Sequence, residues 1–87
     1  MMLDSAITVR MKFFGPVRDV LACDELRWEV PAPATGDAAF ESLAAKYPVL
    51  LPWKKSIMLA VNLEYVSFSH VLHPDDEVSF IPPVSGG

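Results

Sequence analysis

Few side chains in these 87 residues have the types and spacing to do chemistry. His70 and His73 stand three apart, which suits a shared metal ion only on a helix, and no cysteine or clear third ligand lies beside them. The stretch around them reads as a turn, so no metal is expected. Cys23 is the single cysteine, which excludes an intrachain disulfide and a cysteine-based cluster. A nucleophilic thiolate needs a nearby base, and no histidine is close in sequence, so a packed or solvent-facing thiol is the ordinary reading. Asp75-Asp76-Glu77 suggests Ca²⁺, yet the rest of a binding loop is missing and Pro74-Asp75-Asp76 is common turn chemistry. One group remains, the carboxylate that ends Pro82-Pro83-Val84-Ser85-Gly86-Gly87.

A terminal glycine pair adds nothing to a core, and glycine in an ordered element costs about 0.5–1 kcal/mol relative to alanine. The dipeptide alone fits either a frayed terminus or a tail kept accessible. It is no phosphate loop, because nothing follows it to supply a helix N-terminus. A carboxylate is a poor electrophile; joined to AMP it becomes an acyl adenylate that a sulfur nucleophile can attack to leave a thiocarboxylate. Such chemistry needs a slender end that reaches an enclosed site. Val84 to Gly87 span at most about 13–14 Å when extended, and backbone at glycine passes where a Cβ would collide. Pro82 and Pro83 fix φ and remove two donors, so they stiffen the base of the tail and turn it away from a sheet.

The elements that must hold such a tail follow from hydropathy patterning. Ile7–Phe13 alternates at period two, with Ile7, Val9, Met11 and Phe13 on the core face. Phe14-Gly15-Pro16 breaks the alternation, and 17–21 forms a helical turn or a loop. Glu25–Val30 alternates again, placing Leu26, Trp28 and Val30 together and antiparallel to the first strand. After Pro31-Ala32-Pro33, Thr35 caps a helix whose Phe40, Leu43, Ala44 and Tyr47 form one apolar stripe, with Asp37 and Glu41 towards its start and Lys46 in its last turn. Pro48 stops it, and 49–55 reads as a packed loop. Ile57–Val61 is apolar on both faces, the pattern of a central strand buried from two sides or bordered by a partner. Asn62-Leu63 makes a turn, Glu64–Val66 a short strand and Glu77–Ile81 the last strand, with Val78 and Phe80 inward and Ser79 and an exposed Ile81 outward.

One domain is expected over 1–87, with a folded core over 7–81 and a functional tail over 82–87. Hydrophobic content of 52% and charged content of 21% fit a compact soluble protein. No apolar run approaches a membrane span, and the start lacks the pattern of a signal peptide. A net charge of −4 with seven dispersed Lys and Arg argues against nucleic acid. The order strand, strand, helix, strand, short strand, strand suits an α+β mixed sheet with one helix across a face. It resembles the ubiquitin-like β-grasp, with about five strands, a central last strand and a protruding C-terminal tail.

The segments 13–19, 60–66 and 75–87 resemble the MoaD-type sulfur carriers of the MoaD/ThiS family, the small subunits of molybdopterin synthase. The likeness runs from about Ile7 to Gly87 and is most specific at the closing stretch. It implies a cytoplasmic, non-catalytic carrier that binds no cofactor. An ATP-dependent, E1-like activating enzyme adenylates Gly87, and a sulfur donor makes the thiocarboxylate. The tail then enters the large subunit and gives its sulfur to the dithiolene of molybdopterin, within a heterotetramer. By position, Gly87 bears the sulfur and Gly86, Ser85 and Val84 form the approach. Phe80, Ile81, Pro82, Pro83 and Tyr65 lie at or beside the partner interface. A carrier for thiamine thiazole synthesis or tRNA thiolation shares the fold and the glycine pair. A ubiquitin-like modifier or interaction domain is the reading from another class.

Overall fold

The computed structural model describes residues 6–82. The expected tail from Pro83 onwards therefore lies outside the described residues. Eight elements follow in order: β1 (Ile7–Phe13), α1 (Gly15–Leu21), β2 (Glu25–Val30), α2 (Gly36–Lys46), a 3₁₀ helix (Pro48–Trp53), β3 (Met58–Val61), β4 (Glu64–Val66) and β5 (Glu77–Ile81). The five strands form one mixed sheet in the order β2-β1-β5-β3-β4. β1 and β5 run parallel, and the other neighbours are antiparallel. This is the expected α+β, ubiquitin-like β-grasp, with the last strand in the middle.

Alternation in β1 and β5 sends Val9, Met11, Phe13, Val78 and Phe80 into the core. Register lines up Phe13, Phe80, Leu59 and Val66 across four strands. α2 covers that row. Its Phe40 meets Phe80 edge to face, with centroids 5.7 Å apart, and Phe68 likewise at 6.3 Å. The expected stripe of Phe40, Leu43 and Ala44 is buried, joined by Ala39 and Gly36, while Tyr47 is half-buried just past the helix end.

Thr35 caps α2 as expected, its hydroxyl accepting from the Ala38 N–H at 3.2 Å. The helix start is also tied to the 67–72 loop. The Gly36 and Asp37 N–H groups donate to the carbonyls of His70 and Phe68, at 3.1 and 2.8 Å. These bonds satisfy donors that a helix start leaves free.

Three readings are resolved. The 17–21 segment is part of a regular helix, entered by the left-handed Gly15 (φ 55°) and Pro16 and anchored by buried Val17 and Leu21. The loop after Pro48 is mostly 3₁₀ helix, because Leu50 finds a core position and Pro52 prevents continuation of α-helical bonding. β3 is an interior strand between β5 and β4, with Leu59, Ala60 and Val61 buried, and its outward face opens at Met58, which is 51% exposed.

Gly36 packs where a side chain has no room. An added Cβ would overlap Leu59 Cδ2 and stand 3.0 Å from the Phe68 carbonyl oxygen. Gly36→Ala is expected to lose about 1–3 kcal/mol of stability through overpacking, read as a lower urea midpoint at unchanged slope.

Candidate functional site

The sheet face opposite α2 is open, and register sorts its side chains into two halves. Glu25, Lys12, Ser79, Ala60 and Tyr65 form a row across all five strands. Towards β1 and β2 the face is ionic: Arg10 and Lys12 stand 3.8 and 3.9 Å from the Glu77 carboxylate. These pairs are long and partly exposed, so they order the surface more than they stabilise the fold. Towards β3, β4 and the end of β5 the face is apolar. Ile81 pairs with Met58. Ile81 also borders a shallow hollow of about 310 Å³, with Phe14, Ala60, Leu63 and Tyr65 on its apolar side and Lys12, Glu77 and Ser79 on its polar side.

Four large apolar side chains stay in water around this area: Phe14 at 45%, Met58 at 51%, Tyr65 at 63% and Leu63 at 85% exposure. A clustered apolar surface of this kind, bordered by charge, marks a docking site. Leu63 carries a further sign. Asn62 and Leu63 join β3 to β4 with φ of 52° and 71°, the geometry in which Asn-Gly is the common pair. Asn62 is fastened there: its amide oxygen accepts from the Glu77 N–H at 3.0 Å, and its amide nitrogen donates to Asp76 at 2.9 Å. A leucine in the left-handed region is strained and gains no burial here. The fold gives no reason for it.

The structure separates the residues expected at the interface. Tyr65 lies on the apolar face. Ile81 faces the same way but is half-buried, not exposed, because Met58 pairs with it and the hollow's rim surrounds it. Ser79 also faces outward yet is only 4% exposed, in mid-row between Lys12 and Ala60. Phe80 is 0% exposed. Its side chain belongs to the core and cannot meet a partner from this position. Pro82 is half-buried and ends the described chain, its ring beside Gly15. Pro83, Val84, Ser85, Gly86 and Gly87 lie outside the described residues. Phe14, Met58 and Leu63 were missed by pattern reading. The clue for Leu63 was a leucine where a two-residue turn wants glycine; for Met58 it was a strand apolar on both faces.

The other candidates do not assemble into a site. His73 Nδ1 stands 4.0 Å from Asp76, and no group of three potential metal ligands converges among the described residues. Cys23 is half-buried, beside Arg18, Asp19 and Asp24, with no histidine lining that groove. No described helix is long and apolar enough to cross a membrane.

The family model described as ThiS family matches residues 11–87, a span that includes the terminal glycines. The chain belongs to the ThiS family. It is 40% identical over 84 residues to the molybdopterin synthase sulfur carrier subunit of Mycobacterium tuberculosis, covering 93% of this chain and 99% of that protein. To the subunit of the same name from Escherichia coli it is 35% identical over 82 residues, covering 91% and 99%. Among solved structures, small archaeal modifier protein 1 from Methanosarcina acetivorans superposes with a TM-score of 0.78 at 25% identity, covering 94% of this chain and 98% of that one. The resemblance to MoaD-type carriers is borne out, and so is the ubiquitin-like fold.

If Leu63 is kept for its surface and not for folding, this ThiS-family chain gains from losing it. Leu63→Gly is expected to raise stability by about 1 kcal/mol in urea denaturation. A loss would show that Leu63 has a packing role.

Proposed function

We propose that this chain is the sulfur carrier subunit of a molybdopterin synthase, one domain whose folded core over 7–81 presents a functional tail over 82–87. The observation that carries the reading is the family match extending through Gly86-Gly87, on a chain whose relatives, covered almost end to end, bear that name. The uncovered apolar face beside Ile81 and Pro82 supports it, because a carrier must dock before it delivers.

The Gly87 carboxylate attacks the α-phosphate of ATP on an E1-like activating enzyme, forming an acyl adenylate and releasing pyrophosphate. A sulfur nucleophile then displaces AMP and leaves a thiocarboxylate. The chain docks through Phe14, Met58, Leu63, Tyr65 and Ile81 onto the large subunit, and Pro82-Pro83 directs Val84, Ser85, Gly86 and Gly87 into that subunit's site. There the sulfur bonds to the pterin precursor for the dithiolene, and water cleaves the acyl carbon–sulfur bond to restore the Gly87 carboxylate. No acid or base from this chain takes part, so it does not turn over alone, and the reading places it in the cytoplasm. Phe80 contributes by holding β5 in place. The carrier and the large subunit form the heterotetramer. Protein modification is the second reading, favoured by the solved neighbour named as a modifier.

Incubation with the activating enzyme, ATP and a sulfur donor, followed by intact-mass measurement, separates the two. One oxygen-for-sulfur exchange at the C-terminus is expected; lysine-linked conjugates without exchange would favour the modifier. Adding one residue after Gly87 is expected to abolish sulfur transfer at unchanged thermal stability. Ile81→Lys brings an unpaired charge into the apolar contact and is expected to weaken large-subunit binding about tenfold or more, as read by calorimetry.

A further inference from the structure

On the other flank of the chain's exit lies a second hollow. It has about 370 Å³ of space and is lined by Pro16, Pro52, Trp53, Ser56 and Pro82. It shares no lining residue with the hollow on the open face. Ile81 borders one and Pro82, the next residue, borders the other. A protein that encloses the chain beyond Pro82 must close over both flanks.

We propose that this cleft is a second docking surface for the subunit that receives the tail, filled by an extended apolar or proline-containing segment of that subunit. This rests on the delivery reading given above. The chemistry of the walls selects such an occupant. Pro16, Pro52 and Pro82 have no backbone N–H, so the partner cannot add as a β-strand through those positions. The side-chain donors are the Ser56 hydroxyl and the Trp53 indole N–H. Trp53 is half-buried in this wall and Ser56 is exposed. An indole donor beside proline rings takes a backbone carbonyl with an apolar side chain next to it, the chemistry by which aromatic grooves bind polyproline-type segments.

The cleft is also built in advance. The Trp53 carbonyl accepts from the Ser56 and Ile57 N–H groups, both at 2.9 Å. The adjoining Lys54 is held by Asp37 at 2.6 Å and lies over the rings of Phe40 and Phe68, at 5.8 and 5.3 Å. Gly15 brings the first turn of α1 against Pro82, where an added Cβ would stand 3.4 Å from its Cγ. A pocket held in this way loses little freedom on binding.

Hydroxyl-radical footprinting of the full chain, alone and with the recombinant large subunit of the same organism's molybdopterin synthase, tests the proposal. Trp53 is expected to lose reactivity several-fold in the complex. Trp28, near the β2 edge and bonded to Ser42, is the internal reference and stays unchanged. In parallel, Ser56→Arg, a surface change that leaves the thermal midpoint unaltered, is expected to weaken binding about tenfold or more by desolvating a charge. Wild-type affinity for Ser56→Arg with Trp53 unprotected overturns the cleft while the delivery reading stands. Absence of wild-type binding overturns both.

Discussion

The packing of Phe40 against Phe80 is the contact on which the rest of the molecule depends. It joins the one long helix to the middle strand, edge to face, at the centre of a row that crosses the sheet. β5 has a neighbour on each side, so its backbone bonds are made within the sheet. With its core face pinned by α2 and both edges paired, β5 leads the chain out of the sheet at its C-terminal end. The position of Pro82 follows from that.

The same arrangement explains the unequal faces of the sheet. One helix covers one face, and no element covers the other. On the ionic half, charged side chains from β1 and β5 make the open face compatible with water. On the β3–β4 half the chain keeps Met58, Leu63 and Tyr65 instead, at an energetic disadvantage when the protein is alone. The division runs beside Ile81, so the apolar area and the chain's exit are neighbours by construction. Phe14 and Gly15, where β1 gives way to α1, place one more aromatic ring and the wall of a cleft at this end.

Much of this was legible in the sequence. Period-two alternation located β1, β2 and β5 at their observed limits, because each alternates apolar and polar side chains and has turn residues at its ends. Thr35, Lys46 and Pro48 marked α2 for the same physical reasons that they cap and stop it. Alternation reports which face a residue occupies, but not what stands beside it. It therefore places Ile81 outward without showing that Ile81 is half-buried, and the two apolar faces of Ile57–Val61 fit an interior strand without showing that Met58 is left open. Phe80 was carried to the interface by position in a family, although its own alternation already pointed inward. The proposed sulfur chemistry has no local signature at all, since the group it assigns is a main-chain carboxylate.

The Asn62–Leu63 turn has a consequence for kinetics. On the proposed reading, a carrier that visits an activating enzyme and then a receiving subunit has to be released from each. A flexible loop would lose freedom at every visit and would need a large contact area to compensate. Here an exposed leucine is held by a tight hairpin whose first residue is bonded to the start of β5. Its placement is settled before any partner comes. Recognition can then rest on shape over a small area, which allows short residence times and a fast cycle between the two hosts.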